Sequence, residues 1–125
     1  MATTEMNCLA SGGGVTRIYS ARLSSIQSDG FVQCVDENGT PFDPRYVIVC
    51  TPNYSNSATY TIIYDESIST SQFRVYYQGS AYTDTIQVNP SWAGFESIGN
   101  GTNGFKLSSV ANWNRASEIT VLACA

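Results

Sequence analysis

The stretch that decides the fold runs from Tyr46-Val47-Ile48-Val49-Cys50-Thr51 through Ala58-Thr59-Tyr60-Thr61-Ile62-Ile63-Tyr64 to Phe73-Arg74-Val75-Tyr76-Tyr77. The first run is apolar and β-branched at nearly every position, the pattern of a strand covered on both faces. The second puts Tyr60, Ile62 and Tyr64 on one side and Thr59, Thr61 and Ile63 on the other, and the third groups Phe73, Val75 and Tyr77. Side chains alternate across a strand with period two, so the three segments read as successive strands. Polar stretches at 52–57 and 65–71 separate them and supply the turns.

The same period recurs outward from this centre. Upstream, residues 17–23 and 31–35 alternate, and Asn38-Gly39 marks a tight turn. Pro41 and Pro44 flank Phe42 and stiffen an extended connector. Downstream, residues 83–88, 105–110 and 118–123 read as strands, while 89–94 interrupts and 97–103 forms a Gly- and Asn-rich exposed loop. No segment carries a helical stripe. The pattern predicts an all-β chain, an antiparallel β-sandwich or jelly roll of about seven or eight short strands. It is expected to be a single β-sandwich domain over 1–125, with 1–14 a flexible or extended N-terminal segment.

Composition narrows the function. The chain has 125 residues, a net charge of −4, no histidine and a single lysine, Lys106. Charged residues make up 13%, against about 25% in ordinary globular proteins. Six scattered cations supply no footprint for nucleic acid. Histidine-based catalysis and histidine metal sites are excluded. The N-terminus lacks the cationic start and apolar run of a secretory signal, and no apolar stretch is long enough for a transmembrane helix. The expected synthesis is therefore cytoplasmic, without membrane insertion. The four cysteines, Cys8, Cys34, Cys50 and Cys124, form no C-x-x-C pair, so zinc is not expected. Reduced, half-buried thiols are expected, with Cys34 and Cys50 on neighbouring strands the first pair to test for a bond.

Catalytic constellations are thin. Lys106 and Ser108 share a strand face, and Asp36-Glu37 and Asp65-Glu66 are adjacent carboxylates. Solvation of a strand face and of turns accounts for all of them. Asp36-Glu37-Asn38-Gly39-Thr40 echoes the start of a calcium loop without its later ligands. The sequence predicts no enzyme and no cofactor. The sequons at Asn38, Asn53 and Asn100 mark exposed loops.

The aromatics are more informative. Tyr76 and Tyr77 are consecutive, so one faces away from the core. Trp92 and Trp113 sit in segments rich in small and polar residues, with Trp113 flanked by Asn112, Asn114 and Arg115. Such a ring either stacks on a sugar or partner while amides and a guanidinium bind hydroxyls, or plugs the end of the sandwich. The candidate contact residues are Trp113, Asn112, Arg115, Trp92 and Tyr76. Edges carrying few charges point to self-association.

Two segments carry a resemblance. One opens with Phe42-Asp43-Pro44-Arg45-Tyr46-Val47-Ile48-Val49 and ends, past the turn at 67–71, in Phe73-Arg74-Val75. The other joins Gly104-Phe105-Lys106, Trp113 and Ile119-Thr120-Val121-Leu122-Ala123. Both resemble the small β-sandwich modules at bacteriophage tail-fibre tips and the H-type lectins, whose sandwiches assemble as trimers and bind sugars between subunits. In those lectins a Trp-His pair helps hold the sugar; here Trp113 is followed by Asn114 and no histidine exists. The resemblance implies a non-enzymatic virion surface protein, a homotrimer that contacts other virion proteins and attaches to host surface carbohydrate. The alternative is a structural head-decoration or tail-assembly protein with no ligand of its own.

Overall fold

The computed structural model describes residues 17–54, 58–66, 73–79, 82–88, 94–116 and 118–125. The expected N-terminal segment at 1–14 and Trp92 lie outside them. Among the described residues, nine strands and one helical turn follow in order: β1 (Ile18–Leu23), β2 (Phe31–Gln33), β3 (Tyr46–Tyr54), β4 (Ala58–Asp65), β5 (Phe73–Gly79), β6 (Tyr82–Val88), β7 (Gly94–Ile98), β8 (Gly104–Ser108), α1 (Val110–Trp113) and β9 (Ile119–Cys124). They form a six-stranded sheet, ordered β1-β9-β3-β4-β5-β6, and a three-stranded sheet, ordered β2-β8-β7. All pairings are antiparallel. The chain is an all-β sandwich.

Alternation determines which residues enter the core. In β3, Val47, Val49 and Thr51 are wholly buried, whereas Ile48 and Cys50 on the opposite face are half-buried. One face of this strand is thus sealed and the other only partly covered. Ile62 and Tyr64 of β4, Val75 of β5 and Ile119, Val121 and Ala123 of β9 join the same buried layer. From the smaller sheet come Val32, Phe105 and Leu107. Phe95 of β7 stitches the layers together: its ring meets Tyr64 edge-on at 6.2 Å and Phe105 at 5.7 Å, the geometry that aromatic quadrupoles favour.

Three departures from the sequence pattern have local causes. The strand β7 occupies part of the segment read as interruption and loop. A bulge between Phe95 and Ser97 breaks its pairing with β8, so Phe95 and Ile98, three apart, both pack on the core and the two-residue period is lost. Strand β3 continues to Tyr54, through the segment read as a loop, because its register shifts between Thr51 and Tyr54 and so accommodates Pro52. Strand β8 stops at Ser108 rather than 110. Ser109 takes a left-handed conformation, φ 56°, and turns the chain into α1.

Backbone approach sets one glycine. Gly30 has φ +81°, and a Cβ there would lie 2.3 Å from the Leu107 carbonyl oxygen. The same oxygen belongs to the residue whose N–H donates to the Gly30 carbonyl at 2.8 Å. This contact closes the entry to β2 against β8. Asp43 fixes the hairpin between β7 and β8: its carboxylate oxygens accept the Gly101 and Asn103 N–H groups, each at 2.7 Å.

Candidate functional site

Among the described residues, those singled out from the sequence lie on separate elements, Tyr76 on β5 and the others on and just after α1. Trp113 is wholly buried, and its indole N–H donates to the Ser108 carbonyl at 2.9 Å. Its ring plugs the end of the core, the second of the two roles the sequence leaves open. Asn114 is likewise engaged: its Oδ1 accepts the Ile26 N–H at 2.6 Å and its Nδ2 donates to the Ile26 carbonyl at 3.0 Å. Asn112 is half-buried and Arg115 exposed on the turn around α1. Tyr76 stands 36% exposed on the outer face of the six-stranded sheet, opposite Thr61. It therefore lies on a different element from Asn112 and Arg115.

The catalytic candidates are also placed. Ser108 donates its hydroxyl to the Gly94 carbonyl at 3.2 Å, and Lys106 meets Glu96 at 3.6 Å. Asp36 accepts the Asn38 and Thr40 N–H groups at 2.9 Å each, the bonding of a turn. Glu66 pairs with Arg45 at 3.2 Å. Among the described residues no cluster of three metal-ligating side chains occurs, and no helix is long and apolar enough to cross a membrane.

The cysteines divide. Cys34 and Cys50 are free thiols, so the pair chosen for testing is unbonded. Cys124 is disulfide-bonded, which corrects the expectation of reduced thiols throughout. Burial, with a smaller contribution from Asp43, pushes the Cys34 thiol up to about 12. It stays protonated and inert. Cys50 accepts the Thr61 hydroxyl at 3.4 Å.

The described residues do form a concave site, at the mouth of the sandwich where β1 and β2 face each other. Its volume is about 320 Å³, at the small end of the about 300–1,000 Å³ range of ligand clefts. Tyr19 and Leu23 come from β1, Phe31, Val32 and Gln33 from β2, and Ser25, Ile26 and Gln27 from the loop between them. Asn114 holds that loop in place through Ile26. Tyr19 and Phe31 are half-buried, presenting part of each ring, while Gln27, Gln33 and Ser25 are exposed. Burial, and secondarily the neighbouring Cys34, raises the Tyr19 hydroxyl above its ordinary value, so it remains a neutral donor and acceptor. Among the described residues, no charged side chain lines the cleft. Alternation in β1 places Tyr19 and Leu23 on one face, which is visible in the sequence. Their meeting with Phe31 and Gln33 is not, because it depends on how two sheets are stacked.

Comparison with family models, with curated proteins and with solved structures finds no match to the chain.

Proposed function

We propose that this protein is a non-enzymatic component of a bacteriophage virion that acts by contact, attaching through the cleft between β1 and β2 to a neutral host surface saccharide. The virion setting rests on the resemblance and on the lysine-poor, Tyr-, Ser-, Thr- and Asn-rich composition. The observation that carries the binding role is the lining of the cleft. Two partly exposed aromatic rings, Tyr19 and Phe31, stand beside exposed amides, Gln27 and Gln33, with no charge among the described lining residues. A sugar offers an apolar face to such rings and hydroxyls to such amides. The disulfide at Cys124 suits a protein exposed to an oxidising exterior.

A glycan array with the whole chain, followed by adsorption to host cells, tests the reading. Binding to neutral glycans that is lost in Gln27→Ala and Gln33→Ala, with folding intact, is the expected result. Both side chains are exposed, so their removal should cost the fold no more than about 0.5 kcal/mol. Absence of binding on the array and on cells would overturn attachment. The second reading, a particle-assembly protein without a ligand, is favoured by the outer face of the six-stranded sheet. There Leu122, Ile48 and Ile63 stand side by side in register and half-buried. It predicts that substitutions at these positions impair particle formation and leave adsorption of the formed particles intact.

A further inference from the structure

Among the described strands, β1 ends the six-stranded sheet and pairs with β9 alone. Arg17 and Ala125 exchange both backbone hydrogen bonds, each at 2.9 Å, and this fixes the phase of the ladder. In an antiparallel pair the inward- and outward-directed residues alternate. Tyr19, Ala21 and Leu23 therefore direct their N–H and C=O groups to β9. Ile18, Ser20 and Arg22 direct theirs away, into the open edge. Among the described residues none of these groups has a partner.

Edges of this kind are normally blunted by lysine, proline, a bulge or shortness. The smaller sheet follows that rule: β2 has three residues, and β7 is bulged. Strand β1 has six residues in unbroken register, with no lysine or proline. Ile18 is 52% exposed. Its single charge, Arg22, is engaged by Glu118 at 3.4 Å.

We propose that β1 of one copy pairs antiparallel with β1 of a second copy, about a two-fold axis through Ser20, joining two sheets into one. The register follows from the residues. Centring on Ser20 sets Ile18 against Arg22 of the second copy and Ser20 against itself. Every outward-directed N–H and C=O then meets a complementary group. The two Arg22 residues stand four positions apart along the strands, about 14 Å at about 3.4 Å per residue, beyond the screening length of about 8 Å at physiological salt. On the inner face the large Tyr19 meets the small Ala21 of the other copy. Arg17 lies opposite Leu23 of the other copy. A second copy therefore satisfies main chain and size at once and keeps the Arg22 charges apart, which an arbitrary extended peptide has no reason to do. The pairing does not depend on a ligand in the cleft.

Light scattering and sedimentation of the whole chain test the pairing. The expected mass is twice 13.5 kDa. Ser20→Pro removes an N–H that β9 does not use, so the variant should fold with an unchanged circular-dichroism spectrum and run as a monomer. Ser20→Glu and Ser20→Lys each place like charges opposite one another on the axis; alone each should be monomeric, and mixed they should form a mixed dimer. A wild-type monomer, a three-chain mass, a folded Ser20→Pro dimer, or failure of the two charged variants to associate would each overturn the proposal. An antiparallel self-paired strand generates a two-fold and nothing else.

Discussion

Replacing Asn114 with alanine should loosen the cleft without touching its lining. The Asn114 amide mimics a strand neighbour, accepting the Ile26 N–H at 2.6 Å and donating to the Ile26 carbonyl at 3.0 Å across 88 residues of sequence. Ile26 is only 4% exposed, so both backbone groups depend heavily on this side chain. Two such bonds at about 0.5–1.5 kcal/mol each sum to about 1–3 kcal/mol. Asn114 itself is exposed, and water entering its place recovers part of that, so the expected loss is about 2 kcal/mol. For a chain of this length that corresponds to a Tm lower by about 6–10 °C. Asn114→Asp retains the acceptor, loses the donor and sets a carboxylate against the Ile26 carbonyl, so it should cost at least as much. Arg115→Ala, an exposed neighbour, should fall within about 0.5 kcal/mol of wild type. Urea denaturation with a common m-value measures the differences, and amide exchange at Ile26 localises them. If Asn114→Ala matches Arg115→Ala in stability and leaves Ile26 exchange unchanged, the clip is not what holds the loop at 25–27.

Two further substitutions probe the interior. Trp113→Ala should cost about 3–5 kcal/mol through the cavity left in the core. Trp113→Phe should cost about 1–3 kcal/mol, chiefly because the Ser108 carbonyl loses its donor; neither should alter ligand binding beyond its effect on folding, as a glycan array run below the melting temperature would show. Cys34 gives a pH signature. Its thiol titrates near 9.0 in the unfolded chain and about 12 when folded, so its contribution is complete below pH 9 and is lost as the pH rises to 12. The full window is worth up to about 4 kcal/mol. Denaturation of wild type against Cys34→Ala across that range should show the stability difference changing sharply above pH 9 and staying flat below it.

The parts of the fold legible in the sequence are those where alternation survives into the structure. Ile62, Tyr64 and Val75 enter the core where the pattern places them, and Tyr76 faces outward. Strand β7 was hidden because its bulge replaces a two-residue period with a three-residue one. Trp113 illustrates a different limit. Its polar neighbours keep a contact role open beside the core plug, but Asn114 bonds the backbone of a distant loop and Ser108 takes the indole N–H. Local polarity therefore reported hydrogen bonding to buried backbone rather than exposure. The cleft was illegible for a third reason. Tyr19 and Phe31 belong to different sheets, and no periodicity within either strand encodes the stacking of one sheet on the other.

The cleft and the β1 edge lie beside each other, and this has a consequence for attachment. A two-fold through Ser20, perpendicular to the joined sheet, places both smaller sheets on one side and both clefts next to the axis. A small cleft offers few contacts, so one engagement with a neutral saccharide should be weak. Two clefts held on one rigid dimer and facing one surface gain from effective concentration, by roughly 10²–10⁴ in avidity. Ser20→Pro should then reduce binding to a densely glycosylated surface by a factor of that order, while leaving affinity for a soluble monovalent sugar unchanged. Gln33→Ala should reduce both. Equal losses on the dense surface and in solution for Ser20→Pro would mean that the substitution damages the cleft itself. No loss in either would mean that the two clefts do not act together, even if the strands pair.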